Sequence, residues 1–311
     1  MSEDFQSGEA GIIDMMCCAS CGIKASDDEE GINLKKCAAC KLVRYCDVKC
    51  QREHRPQHKR ECKERAAELR DENLFRQPES SHKGDCPICC LPIAIDHLKS
   101  TTMACCSQVI CDGCDCANKI GEIEQSLQHR CPFCRHPAAK TEGEVKQLRM
   151  KRAEANDPHA LLPMGYDLHQ EGDYGSALEY WRKAAELGNA EAHYVVSNIY
   201  WEGKGVEKDI KKAIYHLEKA AIDGHPFARY NLGCIEENNG RKDRAVKHYI
   251  IAASLGHDTS LEDLRECYAE GSVQKEDFAA ALRAHQAAVD ATKSLERDIA
   301  EAFYAENKEE K

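Results

Sequence analysis

The sequence lacks three features that would place the chain in a membrane, outside the cell or on nucleic acid. No apolar run reaches the ~18 residues that a membrane span needs. The first residues, MSEDFQSGEAG, are acidic and polar, so we expect no signal peptide. The net charge is −11, whereas a general nucleic-acid binder is usually basic. We therefore expect an intracellular protein, cytoplasmic or nuclear or both, with neither membrane nor nucleic acid among its partners.

The sequence also lacks the signatures of the common pocket enzymes. It contains no Ser-His-Asp arrangement, no P-loop and no dinucleotide-binding motif. We therefore name no catalytic residue and expect the chain to act by binding.

Cysteine, by contrast, is abundant and unevenly distributed. Eighteen of the 20 cysteines lie between Cys17 and Cys134. Without a secretion signal, thiols stay reduced, so a disulfide framework is not expected. Many of these cysteines form close pairs, the arrangement with which chains build closed tetrahedral zinc sites. Zinc is therefore the expected cofactor, as about four structural ions.

The first cysteine module covers residues 17–62. Its predicted ligands are Cys18, Cys21, Cys37, Cys40, Cys46, Cys50, His58 and Cys62. The last two pairs have a spacing of four residues, so on a helix both members of a pair would share a face. Cys17 could replace Cys18, but only Cys18 gives the two-residue spacing to Cys21. His54 is expected to be a surface residue of the helix.

The run from Cys37 to Gln51 and the ending from His58 to Cys62 closely resemble the MYND zinc finger. The resemblance implies a cross-braced pair of zinc ions. It would assign one zinc to Cys18, Cys21, Cys46 and Cys50, and the other to Cys37, Cys40, His58 and Cys62. The family usually has tryptophan before the proline near its end, where this chain has Arg55-Pro56. That departure bears on the apolar groove with which such fingers hold proline-containing peptides.

The second cysteine module covers residues 85–137. Its predicted ligands are Cys86, Cys89, Cys105, Cys106, Cys111, Cys114, Cys131 and Cys134. The runs 86–89 (CPIC) and 131–134 (CPFC) resemble the outer ligand pairs of a RING finger, and 111–114 matches its third pair. The resemblance implies one zinc on the first and third pairs. The other zinc would lie on the second and last pairs.

The middle of this module departs from the RING pattern. A RING finger would place a histidine at Gln108, and glutamine is a poor zinc ligand. The adjacent Cys105 and Cys106 are the expected substitutes, which gives an all-cysteine second site. The histidines that could replace one of them are His97, His129 and His136.

RING fingers bind ubiquitin-conjugating enzymes without doing covalent chemistry themselves. In the family, an apolar residue in the first knuckle and a proline in the last touch that enzyme, and Ile88 and Pro132 hold these positions here. A basic residue after the last cysteine, here Arg135, contacts enzyme and ubiquitin together, a role suited to the guanidinium fork. Such knuckles also occur in folds that bind no conjugating enzyme, so a purely structural role is the alternative.

The last half of the chain repeats. Ala184, Ala220 and Ala252 each open an Ala-Ala pair, at intervals of 36 and then 32 residues. A glycine follows each second helix, where a left-handed cap is wanted, and a small residue recurs where paired helices would approach closely. The glycines are Gly188, Gly224 and Gly256, and the small residues are Gly165, Ser197 and Gly233.

This pattern resembles the Sel-like repeat, a relative of the tetratricopeptide repeat, over residues 159–291, with a weaker fourth copy from Ser260 to Asp290. A helix pair cannot bury its apolar face alone, so the copies must stack into a solenoid. Such stacks present an extended concave surface that binds peptides or other proteins. Cys234 and Cys267, which lie in this part, are expected to be core residues.

We therefore predict two small cross-braced, metal-stabilised α+β zinc domains followed by an all-α solenoid. The predicted divisions are a disordered N-terminus (1–16), a MYND-type finger (17–62), a helix and linker (63–84), a RING-like finger (85–137), a helical connector (138–158), Sel-like repeats (159–291) and a charged C-terminal helix or tail (292–311). The leading functional hypothesis is an interaction scaffold. In it, the RING-like finger recruits a ubiquitin-conjugating enzyme while the repeats and MYND finger hold target proteins. The alternative is a non-enzymatic zinc adaptor that assembles a signalling or transcription-regulatory complex.

Overall fold

The structure is a computed structural model that describes residues 17–25 and 32–309, with side chains up to residue 306. The N-terminus predicted to be disordered, residues 1–16, lies outside the described residues. The chain divides after Leu74 into two compact units, and each is described by itself. Helices dominate the described residues, and the strands are only two or three residues long.

The first unit contains the first cysteine module and one long helix. An antiparallel pair joins β1 (Lys35–Lys36) to β2 (Arg44–Tyr45), and α1 follows at Val48–Leu74. The core is small, because Leu34 and Val43 are buried mainly against cysteine side chains. The helix begins inside the module and continues beyond it, so it supplies the module's last ligands from a regular element.

The second cysteine module opens the second unit. A short 3-10 turn (His97–Lys99) leads into β3 (Ser100–Thr102), which pairs antiparallel with β4 (Val109–Cys111). Helix α2 (Asp112–Glu124) starts directly after β4. Ile93 and Ile110 are the fully buried aliphatic residues of its core cluster, which they share with two cysteines. Here too the metal-binding side chains make up much of the buried interior.

Ten further helices complete the described part of the second unit. They are α3 (Glu142–Glu154), α4 (Pro158–Gln170), α5 (Tyr174–Glu186), α6 (Ala190–Glu202), α7 (Ile210–Ile222), α8 (Pro226–Asn238), α9 (Lys242–Ser254), α10 (Asp258–Ala269), α11 (Lys275–Ala291) and α12 (Leu295–Glu309). From α4 to α11 they form four antiparallel pairs that stack in chain order. This is the predicted helical solenoid, preceded by the connector helix α3.

The turns between the pairs follow the repeat of the sequence. Gly188, Gly224 and Gly256 have φ of 87°, 81° and 89°, which confirms the predicted left-handed caps. The residue after each glycine then caps the next helix with its side chain. For example, His225 Nδ1 accepts the backbone N–H of Ala228.

Small residues allow the paired helices to approach closely. A Cβ on Gly165 would lie 2.3 Å from the indole nitrogen of Trp181, and one on Gly233 would lie 2.4 Å from the ring of Tyr249. Both rings are buried, and Trp181 Nε1 donates to the carbonyl oxygen of Leu162 at 3.1 Å. The aromatic residues of one helix therefore fill the space that glycine leaves on its partner.

The last helix returns to the second cysteine module. Helix α12 packs against α2, where Tyr304 Oη lies 3.2 Å from Asp115 Oδ2 and accepts a hydrogen bond from Lys119 Nζ at 3.1 Å. The charged C-terminal segment predicted from the sequence is thus a docked helix over its described residues. Among those residues, none of the helices combines the length and apolar character needed to cross a bilayer.

Candidate zinc centres

The structure brings the sixteen predicted ligands together in four sets of four. Within each set the donor atoms lie within 4.8 Å of one another. The sets are Cys18, Cys21, Cys46 and Cys50; Cys37, Cys40, His58 and Cys62; Cys86, Cys89, Cys111 and Cys114; and Cys105, Cys106, Cys131 and Cys134. Each module therefore interleaves two sets along the chain, as a cross-brace does.

The distances within the sets fit a metal and exclude disulfides. Neighbouring sulfurs of the second module are 3.8 Å apart for Cys86 and Cys114, and 3.7 Å apart for Cys89 and Cys111. A tetrahedral site with Zn–S bonds of about 2.3 Å separates its sulfurs by about 3.8 Å, whereas a disulfide needs about 2.05 Å. None of the described cysteines forms a disulfide. Four soft donors at this spacing suit a structural zinc ion.

Most of the cysteine pairs sit on tight knuckles whose backbone is built alike. The residue after the second cysteine donates its N–H to the carbonyl of the first, as from Cys90 to Cys86 at 2.8 Å and from Arg135 to Cys131 at 2.9 Å. That residue has positive φ, 57° in Cys90 and 62° in Arg135. The non-ligand Cys90 thus ends a knuckle. The turn aims both thiols of a pair at one point.

One detail of the first module differs from expectation. The four-residue pairs were expected to share a helix face, but this is wrong for Cys46, which lies before the start of α1 at Val48. Only His58 and Cys62 are a helical pair. Cys50 still reaches its set, with its sulfur 3.5 Å from that of Cys46, because Asp47 Oδ1 accepts the Cys50 N–H at the helix start.

His54 has a supporting place beside the second set. Its ring stacks on that of His58, with centroids 5.6 Å apart and planes 9° apart. Its Nδ1 lies 3.1 Å from the hydroxyl of Tyr45. It is therefore a half-buried buttress for a ligand histidine, a role that helical spacing from His58 alone could have suggested.

In the second module, one donor set consists of Cys105, Cys106, Cys131 and Cys134 and contains no histidine. The Cys105 and Cys134 sulfurs are 3.4 Å apart. His129 Nδ1 instead pairs with Glu122 Oε2 at 2.7 Å, His136 Nδ1 lies against a backbone carbonyl, and His97 is exposed. The histidine alternatives are not part of any donor set among the described residues.

The backbone favours the thiolate at the first cysteine of three knuckles, whereas burial and neighbouring thiols raise the pKa of other ligand cysteines, such as Cys62. Burial raises the pKa of the Cys18 thiol, but backbone N–H groups such as that of Cys21 outweigh it and lower the pKa to about 6. The same balance lowers the pKa of Cys37 to about 6 and that of Cys86 to about 7. Since the thiolate is the form that binds metal, the backbone prepares the first cysteine of these pairs for zinc.

Arg297 is a residue of this site that sequence reasoning missed. Its guanidinium donates to the carbonyls of Leu91 and Pro92, at 3.3 and 2.7 Å, and lies 3.6 Å from the sulfur of Cys89. It reaches there from α12, 208 positions away in the sequence. A positive charge beside a thiolate supports the first knuckle of the second module from outside.

Of the three residues that the RING resemblance assigns to partner contact, Ile88 and Arg135 are exposed. Ile88 and Phe133, the apolar members of the two Cys-Pro knuckles, are 41% and 46% exposed. Arg135 Nη1 donates to Asn118 Oδ1 at 3.0 Å, and Asn118 Nδ2 donates to the carbonyl of Arg130. Pro132 is half-buried between them in the last knuckle.

A fifth group of metal-type donors lies elsewhere, between the linker and the repeats. His82 Nε2 and His225 Nε2 lie 3.3 and 3.1 Å from the same oxygen of Glu191. Their rings stack with centroids 4.2 Å apart and planes 20° apart, so their lone pairs run side by side and do not converge as a tetrahedral site requires. Burial lowers the pKa of His225 to about 4, which keeps it neutral. The group is a hydrogen-bonded stack.

Comparison with known families matches two regions of the chain. The MYND finger family matches residues 18–62. The Sel1 repeat family matches three consecutive segments, 164–189, 190–225 and 226–257. The chain thus carries a MYND finger and Sel1 repeats, which confirms the first resemblance and, over residues 164–257, the second, and zinc is its structural cofactor. The RING-like interpretation of the second module stays a prediction.

Individual relatives match parts of the chain. Chitin synthase regulatory factor 4 of Schizosaccharomyces pombe is 31% identical over 112 residues, covering 34% of this chain and 18% of that protein. DAP3-binding cell death enhancer 1 of Mus musculus is 26% identical over 165 residues, covering 40% and 32%. The chain therefore spans less than a third of the length of these relatives.

Among solved structures, a Sel1 repeat protein from Oxalobacter formigenes is similar at 24% identity, with a TM-score of 0.42, covering 55% of this chain and 70% of that one. The MYND finger and the Sel1 repeats together support a zinc-binding protein-interaction scaffold.

Proposed function

We propose that the second cysteine module is a RING-like finger that recruits a ubiquitin-conjugating enzyme, while the Sel1 repeats and the MYND finger hold the protein to be modified. The observation that carries the proposal is the solvent exposure of the apolar residue in each Cys-Pro knuckle, Ile88 and Phe133. Each occupies the third position of a Cys-Pro-x-Cys knuckle, and apolar side chains presented at equivalent positions of two knuckles are suited to anchor a partner. The proposal also assigns one zinc to each of the four donor sets.

The packing of α2 supports the same surface. Gly113, Asp115 and Lys119 face α12, which approaches so closely that a Cβ on Gly113 would lie 2.8 Å from Arg297. Asn118 instead bonds to the last knuckle, through Arg135. The C-terminal helix therefore supports α2 from one side, while Asn118 of α2 contacts the last knuckle, which carries Phe133.

A ubiquitin-transfer assay with a panel of conjugating enzymes tests the proposal. The full chain should become modified in the presence of at least one enzyme of the panel. Ile88→Ala should reduce binding of that enzyme about tenfold, because an exposed apolar contact at a small interface often carries much of the affinity. Ile123→Ala is the matched control, since Ile123 is 69% exposed on α2 and is not part of either knuckle.

Arg135→Ala separates recruitment from transfer. Its guanidinium is half-exposed and tethered to Asn118 and to Glu122, whose Oε1 lies 3.7 Å from Nη2. If it restrains the enzyme–ubiquitin conjugate in a reactive pose, its loss should lower transfer more than enzyme binding. Neither Ile88→Ala nor Arg135→Ala should release zinc, because neither residue is a ligand.

The competing function is a non-enzymatic zinc adaptor. It is favoured if the fully zinc-loaded chain transfers no ubiquitin with any enzyme of the panel. In that case, Ile88 and Arg135 are surface residues of a structural knuckle, and the repeats and MYND finger account for the binding function.

A further inference from the structure

Residues 75–84, which connect α1 to the second cysteine module, lie against the edge of the repeats, and we call them the docked segment. Gln77 Nε2 donates to Ser254 Oγ at 2.7 Å, at the end of α9. Five residues later, the His82 N–H donates to the Gly224 carbonyl at 3.0 Å, at the end of α7. The segment therefore runs from the third matched repeat back to the second, crossing the turns between helix pairs.

An aromatic anchor holds the first end of the docked segment. The ring of Phe75 packs on that of His248, with centroids 4.8 Å apart. Two cations of α9 lie over the same ring, Arg244 Cζ at 4.8 Å and Lys247 Nζ at 5.3 Å from its centroid. The two cations attract the face of the Phe75 ring, so this contact depends on an aromatic side chain at that position.

An imidazole anchor holds the other end. His82 stacks on the fully buried ring of His225, whose opposite neighbour is Tyr194 at a centroid distance of 4.5 Å. Its Nε2 faces Glu191. Hydrogen bonds from the two histidines lower the pKa of Glu191 although burial would raise it, so the carboxylate is charged opposite the stack. The repeats thus offer a preformed place for one imidazole.

The middle of the contact depends on the glycine that closes the second helix pair. A Cβ on Gly224 would lie 2.5 Å from the Ser80 carbonyl oxygen, so the segment's backbone occupies the space of a side chain. The equivalent Gly188 would meet nothing within 4 Å, and Gly256 only Ala288 Cβ at 3.9 Å. All three glycines are left-handed caps, but of the three only Gly224 also packs against the backbone of the docked segment.

The docked segment does not fill its surroundings. Clefts of about 660 and 870 Å³ open along it, and Gln77, Glu79 and Ser80 are exposed. The contacts are concentrated at two anchors seven residues apart. A short connection of this kind holds its segment at a high effective concentration, yet a second peptide with the same anchors can compete for the place.

We propose that this edge of the repeats is a peptide-binding site, which the docked segment occupies in the free chain. Its partner is a segment of another protein with an aromatic residue followed seven positions later by histidine, the spacing of Phe75 and His82. The inference rests on the proposal that the repeats hold a target protein. It does not depend on ubiquitin transfer.

The test uses a fluorescein-labelled peptide of residues 74–84 and the full chain. In the double variant Phe75→Ala/His82→Ala, both anchors of the chain's own segment are removed while the site stays intact. The peptide should bind this variant at least tenfold more tightly than the wild-type chain, as measured by fluorescence anisotropy. A control peptide with alanine at both anchor positions should not bind.

Two glycine substitutions locate the site. Gly224→Ala, added to the double variant, should abolish peptide binding, because the Cβ would take the place of the peptide backbone. Gly188→Ala is the matched control, since it introduces the same left-handed strain without that clash, and it should leave binding unchanged. Circular dichroism on each variant reports whether the helices persist.

The proposal is overturned if the peptide binds the wild-type chain and the double variant equally, or binds neither. It is also overturned if Gly224→Ala is as harmless as Gly188→Ala. Hydrogen exchange on the unmodified chain gives an independent decision: the His82 amide should be protected, and a freely exchanging amide contradicts docking. No transfer reagent is present in these assays, so failure here and failure of the ubiquitin proposal are distinguishable.

Discussion

The cysteine modules and the repeats build their interiors from different chemistry. In the first module, the buried cluster contains four cysteines of the predicted ligand sets beside Leu34, Val43 and Tyr45. In the repeats, the cluster around Trp181 consists of alanine, valine, leucine, isoleucine and aromatic side chains. The metal ligands are thus a large part of one core and absent from the other.

This difference follows from size. A module of fewer than about 60 residues buries too little apolar surface to fold alone, and a structural zinc contributes roughly 10–16 kcal/mol. The helix pairs instead stack on one another, so each buries its apolar face against a neighbour. Removing the metal should therefore unfold the cysteine modules, whereas adding a side chain between two packed helices should destabilise the repeats.

Chelation should have the largest effect. Excess chelator at neutral pH should unfold both cysteine modules, residues 17–134, while the repeats keep most of their helicity. The two tryptophans, Trp181 and Trp201, both lie in the repeats, so their fluorescence should barely change while zinc is released. Metal analysis of the untreated protein should give four zinc ions per chain. Two or fewer ions, or a collapse of the tryptophan signal, would contradict the comparison.

A single ligand substitution should reproduce half of this result. Cys86→Ser should lose zinc from the second module and unfold it, because a buried thiolate ligand is replaced by a hydroxyl that binds zinc poorly. Cys90→Ser is the matched control, since Cys90 is an exposed neighbour outside every donor set. Zinc content should fall by up to two ions in the first variant and remain unchanged in the second. Equal losses would mean that Cys90 is a ligand.

Overpacking should affect only the repeats. Gly165→Ala places a methyl group 2.3 to 2.7 Å from the indole of Trp181, which cannot retreat because it is buried and bonded to Leu162. We expect a loss of about 1–3 kcal/mol in the free energy of unfolding, measured by urea denaturation. Gly175→Ala is the control, because its Cβ would meet only Asp173 Oδ1, at 3.8 Å. Zinc content should not change in either variant.

The two regions also differ in how far their structure could be predicted. Ligand pairs follow from local spacing, since a knuckle of four residues aims both thiols at one point whatever surrounds it, whereas the grouping of two pairs around one metal followed from the resemblance to MYND and RING fingers. The repeats follow from the period of Ala184, Ala220 and Ala252 and from the glycine caps. Both signals are short-range, and both describe the structure well.

Long-range contacts leave no such signal. The approach of Arg297 to Cys89, and that of His82 to Glu191 and His225, depends on where distant segments return to the fold. Even a local inference can fail where one element ends and another begins. Cys46 has helical spacing to Cys50, yet it lies between β2 and α1, because the strand pair takes precedence over the helix there.

The smallest predicted effect is a pH dependence of the repeats. His248 is fully buried, and neither of its ring nitrogens has a hydrogen-bond partner within the described part of the chain. Burial lowers its pKa to about 3, aided by the positive charges of Arg229 and Arg244. In the unfolded chain the pKa of histidine is about 6.5. Below that pH the unfolded state therefore binds a proton that the folded state does not bind.

The stability that neutral His248 contributes is therefore complete above pH 6.5 and is lost as the pH falls from 6.5 towards 3. The slope from this one group is about 1.4 kcal/mol per pH unit. His248→Leu should remove it, and His159→Gln, at an exposed position, should not. Urea unfolding followed by tryptophan fluorescence at pH 7.5, 6.5 and 5.5 measures the repeats separately from acid release of zinc. If the free energy of unfolding fell equally with pH in His248→Leu and in the wild type, another group would cause the acid sensitivity of the repeats.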